Sequence, residues 1–262
     1  MGGVADYDFT LPFVDVMRQA RPWGSAAAPW DGNCSTGPDG WPSQGDFGTV
    51  FVTFPGNVDA PHPTVEGRWL LAFTGQATLA LGSGFHPTVE DEAYDPASDT
   101  TTLTLVLAPQ TAADCNCIMF GFANASTRAG GAGLKGIRLL QPGYSLDQAA
   151  GFSTPLLSLL GRFDVLRFMD WAATNGNQHV AWAERTLPAA CTYARGGVPW
   201  ESIVALGAAA PKDIWVNIPA HASDDYVLQM ATLLFEAQFP HNIYVEYSNE
   251  VCECLWLCWP PL

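Results

Sequence analysis

The sequence predicts an α/β protein: parallel strands and helices in the second half, with an antiparallel, sandwich-like β module set into the first half. Three observations carry this. Short runs that alternate apolar with polar residues, broken mostly by Gly, Pro or Asp, fill residues 24–142. Strand and helix candidates alternate from about residue 151 onward, which implies parallel pairing. Hydrophobic residues make up 48% of a 262-residue chain and aromatic residues 12%, ample material for a packed core.

Taken in order, "YDFTLPFVDVMRQARPW" (7–23) reads as an extended apolar segment running into a short helix or turn. Five strand candidates follow: "GTVFVTF", "RWLLAFTGQATLAL", "TTLTLVLAP", "CIMFGFANA" and "KGIRLLQPG". Strands so spaced, with no helical period between them, suggest an antiparallel sandwich. Then "FDVLRFMDW" (163–171), "DIWVNIPAHA" (213–222) and "NIYVEYSNE" (242–250) each read as a mostly buried strand ending in polar residues. Between them, "PWESIVALGAAA" has Pro199 near its first turn and Ile203, Val204 and Leu206 at helical spacing. "SDDYVLQMATLLFEAQF" opens on Ser223 as an N-cap with two acids in its first turn, and Val227, Met230, Ala231 and Leu234 form its apolar stripe.

The formal net charge is −15 with only 11 Lys and Arg, so neither nucleic acid nor an anionic membrane would be drawn to this surface. No run approaches the roughly 20 apolar residues that span a bilayer. "MGGVADYDFT" lacks the basic and apolar regions of a signal peptide, yet Asn33-Cys34-Ser35 and Asn124-Ala125-Ser126 match glycosylation acceptors, which leans the reading towards an extracellular setting. The 7 cysteines fix no pairing; in a secreted chain Cys34 could join Cys115, Cys117 or Cys191. Cys252, Cys254 and Cys258 lack a fourth ligand nearby, so no metal and no cofactor is expected.

Polar residues gather where the three later strands end: Asp170 and Trp171, His221, and Asn249 with Glu250. Strand ends of a parallel α/β barrel are where reactive side chains collect. Parity adds a detail. Tyr244, Glu246, Ser248 and Glu250 share one face and Val245, Tyr247 and Asn249 the other. With Val245 and Tyr247 packed on helices, Glu246 points inward and needs a partner, for which Arg167 is the candidate.

"LRFMDW", the "NIP-H-DDYV" segment and "VEYSNE", in that order and spacing, resemble the retaining glycoside hydrolases built on (β/α)8 barrels, and more closely barrel proteins described as cellulose-binding or glycosidase-like in which "PFVDVMRQARPW" opens the barrel. The likeness runs from about residue 9 to 251. It implies barrel strands at 9–16, 163–171, 213–218 and 242–250, with the β-rich module inserted at 24–142. It implies Glu250 as general acid/base and Asn249 as a hydrogen-bonding partner of a sugar hydroxyl. Arg167, Asp170, Trp171 and His221 would line a cleft for a polysaccharide or oligosaccharide.

One departure stands out. Retaining hydrolysis needs a second carboxylate about 5–5.5 Å from the first, and the family takes it from its seventh strand. The resemblance therefore implies a partial barrel, ended after the fourth strand and inactive as it stands. "VCECLWLCWPPL" fits the expectation of a shifted frame, an unspliced intron or an early stop. The alternative expectation is a carbohydrate-binding protein that uses its inserted β module.

Overall fold

The computed structural model describes residues 1–8, 10–25, 27–43, 46–52, 66–81, 87–108, 117–130 and 133–250. The chain divides into two compact units: Met1–Val4 with Leu157–Pro188 and Gly196–Leu262, and Ala5–Leu156 with Ala189–Arg195.

The second of these is antiparallel throughout. Its strands are β1 (Gly24–Ser25), β2 (Phe47–Val52), β3 (Gly67–Thr74), β4 (Gln76–Leu81), β5 (Thr88–Asp95), β6 (Thr100–Leu107), β7 (Cys117–Ser126) and β8 (Lys135–Leu140). They form two sheets, ordered β1-β2-β7-β4 and β5-β6-β3-β8. The period-2 pattern does the work: in β6, Thr101, Leu103, Leu105 and Leu107 are buried while the residues between them are half-exposed. Both sheets contribute to one core, with Phe47, Phe120 and Phe122 from one and Trp69, Leu71, Phe73 and Leu105 from the other. "RWLLAFTGQATLAL" is not a single strand. Gly75 (φ +98°) breaks it, sending β3 and β4 into different sheets, and a Cβ there would run into the Ser126 carbonyl oxygen.

Of the barrel strand expected at 9–16, residue 9 lies outside the described residues and residues 10–16 do not form a barrel strand. Phe13 and Asp15 make isolated antiparallel bridges to Phe152 and Leu140, and Val16–Gln19 is a 3-10 helix. Local polar chemistry holds this segment. The buried Asp15 carboxylate accepts from the Met17 and Leu139 amides at 3.1 and 3.0 Å, and Gln141 Nε2 donates to the Leu11 and Phe13 carbonyls.

The other unit holds the parallel strands β9 (Val165–Arg167), β10 (Asp213–Ile218) and β11 (Ile243–Tyr247), in the order β11-β10-β9. Helices α2 (Trp200–Ala209) and α3 (Asp224–Glu236) fall between them in sequence; α1 (Thr154–Leu160) precedes β9. Ser223 caps α3, accepting from the Tyr226 amide at 3.2 Å, and Asp224 and Asp225 sit in its positive first turn. Tyr226, Met230 and Leu234 are the residues α3 buries, so its apolar stripe runs one position earlier than Val227 and leaves Ala231 exposed.

The expected (β/α)8 barrel is therefore corrected. A barrel needs strands and helices alternating around a closed parallel sheet. Among the described residues the sheets are mostly antiparallel, the parallel strands number three, and there are three α-helices.

Gly197 is a position where backbone geometry decides. It adopts φ +83°, and a Cβ would lie 2.7 Å from the Ala172 carbonyl carbon and 3.0 Å from the Trp171 oxygen. Gly197→Ala is expected to destabilise the fold by about 1–3 kcal/mol, visible as a lowered melting temperature; an unchanged melting temperature would show that the segment yields without cost.

Candidate functional site at the ends of the parallel strands

Register places the site. Arg167 pairs with Trp215 across β9 and β10, Trp215 with Tyr244 across β10 and β11, and Asn217 with Glu246. Register partners share a face and residues two apart return to it, so these five side chains stand on one side of the sheet. Leu166, Ile214 and Val216 are buried on the other side.

Glu246 is the hub. Its Oε2 accepts from Arg167 Nη2 at 2.8 Å, Trp215 Nε1 at 3.0 Å and Asn217 Nδ2 at 2.7 Å. Its Oε1 accepts from the Glu250 amide at 3.3 Å. The expected Arg167–Glu246 ion pair is thus formed. Arg167 Nη2 also donates to Asn249 Oδ1 at 2.7 Å, and its guanidinium lies 5.2 Å from the centre of the Trp215 ring. Asn249 Nδ2 donates in turn to Asn175 Oδ1 at 3.0 Å. Burial pushes the Glu246 carboxyl up, but the bonds from Arg167, the Glu250 amide and Asn217 outweigh it and hold the group below its ordinary range.

Strand parity would put Asn249 on the face opposite Glu246. It does not, because Ser248 adopts φ +57° and ends the alternation, which brings the Asn249 side chain to Arg167. Glu250 follows at φ +45°, exposed. Two left-handed residues with side chains so close together are uncommon, and strain of this kind gathers at functional positions. Val245 and Tyr247, expected against helices, are exposed instead.

The remaining residues singled out in the sequence lie as follows. Asp170 is exposed in the turn after β9, where its charge acts on the Met1 amino group. His221 is exposed in the turn after β10. Trp171 joins neither: it is 2% exposed and packs edge-on against Phe168 at 5.6 Å, leaving no open face for a sugar ring. On the Glu246 face, Trp215 (38%) and Tyr244 (46%) are exposed rings 6.2 Å apart between centroids, and neither was expected from the sequence as a site residue. Their signal was present as the period-2 spacing of Trp215 and Asn217 in "DIWVNI", in phase with Arg167 and Glu246.

Two buried polar atoms of the cluster, Arg167 Nε and Asn217 Oδ1, have no hydrogen-bond partner among the described residues. Among the described residues no group of three or more His, Cys, Asp or Glu is arranged to hold a metal ion, and no helix is long and apolar enough to cross a membrane. Among the described residues Cys34 and Cys191 are free thiols rather than a disulfide. Cys115, the side chain of Cys117, and Cys252, Cys254 and Cys258 lie outside the described residues, as does the whole 251–262 tail.

Comparison with protein-family models, with curated proteins and with solved structures finds no match to this chain.

Proposed function

We propose that the polar face of the parallel sheet binds a saccharide, with Trp215 and Tyr244 as the stacking surface, Arg167, Glu246 and Glu250 as the hydroxyl-recognising groups, and the buried Asn217 and Asn249 as their supports. The observation that carries this reading is the placement of two partly exposed aromatic rings beside a connected charge-and-amide cluster on one sheet face. A sugar ring offers an apolar C–H surface and a rim of hydroxyls that both donate and accept. Aromatic faces suit the first, and mixed carboxylate, guanidinium and amide groups suit the second. An acidic chain of net charge −15 is compatible with a neutral ligand.

The test is isothermal titration calorimetry against neutral β-linked oligosaccharides: cello-, xylo- and N-acetylated chito-oligomers. Trp215→Ala is expected to weaken binding about tenfold, the equivalent of losing roughly 1.4 kcal/mol of apolar contact. Affinity untouched by Trp215→Ala and by Arg167→Met would remove the site from this face and turn attention to the antiparallel sheets. Release of reducing ends that vanishes in Glu250→Gln would add hydrolysis to binding.

A further inference from the structure

We infer that Glu246 is a positioning residue, whose carboxylate fixes the left-handed turn Ser248–Glu250 and so sets where Asn249 and Glu250 stand. The turn is tied to it at three points. Glu250 is held directly, its amide donating to Glu246 Oε1 at 3.3 Å. Asn249 is held through Arg167, whose Nη2 is shared between Glu246 Oε2 and Asn249 Oδ1 at 2.8 and 2.7 Å. Ser248 is held through Asn217, whose Nδ2 is shared between Glu246 Oε2 and the Ser248 carbonyl at 2.7 and 2.8 Å. Each shared donor is aimed by the carboxylate before it reaches the turn. Without that acceptor the left-handed angles at Ser248 and Glu250, +57° and +45°, lose the bonds that offset their strain.

Charge explains why a carboxylate serves here and an amide would not. Four donors converge on one side chain: β9 contributes the cation of Arg167, β10 the neutral Trp215 and Asn217, and the turn the amide of Glu250. An ionised carboxylate is acceptor-only, whereas a Gln would turn an NH2 towards one of those donors. Glu250, four residues on, is the other carboxylate of residues 243–250, beside the phenols of Tyr244 and Tyr247. The consequence for a ligand rests on the saccharide reading: binding falls as Glu246 takes up a proton.

Proton–nitrogen NMR of the full chain tests this without any ligand. With Glu250→Gln as background, the amide of residue 250, the Trp215 indole N–H and the Asn249 side-chain NH2 are expected to shift together on acidification. They should share one midpoint below the ordinary 4.5 of a Glu. Glu246→Gln should abolish that shared titration and move the residue 250 amide upfield at neutral pH. Separate midpoints, or a residue 250 amide that ignores the titration, overturn the positioning role. A shared midpoint in a protein that binds no saccharide leaves the positioning role standing and removes only the function proposed above.

Discussion

Trp171→Ala is expected to lower the free energy of unfolding by about 3–5 kcal/mol, the range for removing a large aromatic side chain from a close-packed interior. The indole is 2% exposed and meets Phe168 edge-on at 5.6 Å. Its main chain is engaged as well, the carbonyl accepting from the Val198 amide at 2.7 Å. The cavity left by truncation cannot close easily, because Gly197 already packs against the Trp171 and Ala172 backbone. Urea unfolding followed by circular dichroism reads the loss directly. A residue that served by stacking on a sugar would behave otherwise, losing affinity while stability stayed within about 0.5 kcal/mol of the parent. Trp171→Phe, which keeps a ring in the cavity, should recover most of the stability. If Trp171→Ala unfolds at the parental urea concentration, the packing account of this residue fails.

Trp171 and Trp215 show where the sequence can be read and where it cannot. Trp171 was expected to line a cleft because it ends the strand candidate 163–171 and the family resemblance places it there, but β9 ends at Arg167 and the chain turns before it reaches the indole. Where a side chain exits after a strand ends depends on turn angles, which spacing does not encode. Inside a strand the period is fixed: Arg167 was matched to Glu246 because an inward carboxylate needs a partner, and the two meet at 2.8 Å, although the barrel interior and the helix packing of Val245 and Tyr247 behind that match are not formed. The same contrast governs the antiparallel unit. β6, with a Leu at every second position, was legible; β5, "TVEDEAYD", was not, because an exposed strand carrying so many acids has no buried face to betray it. Extending three parallel strands into a barrel failed for a different reason. The expectation at 9–16 rested on likeness rather than periodicity, and that segment is held instead by Asp15 and Gln141, whose buried hydrogen bonds leave no periodic trace.

Asp15 yields the second large effect, and its sign is opposite to that of most carboxylates. The side chain is 1% exposed. Burial pushes its pKa up from the ordinary 3.8 to about 6, even though Arg18 and the Leu139 and Met17 amides pull it down. The folded protein therefore holds this proton to a higher pH than the unfolded chain does. The stabilisation it gives is full below pH 3.8 and is lost as pH rises towards and through about 6. At about 1.4 kcal/mol per pH unit, the gap between 3.8 and about 6 amounts to roughly 3 kcal/mol. Asp15→Asn isolates the contribution from the chain's other carboxylates. Its Oδ1 can still accept from both amides, while the contact of Oδ2 with Arg18 at 3.3 Å is given up. Relative to Asp15→Asn, the parent protein should become steadily less stable between pH 4 and 6.5 in urea unfolding series. A difference between the two proteins that stays constant across that window would mean the carboxyl is already ionised at pH 4, with Arg18 and the two amides offsetting the whole cost of its burial.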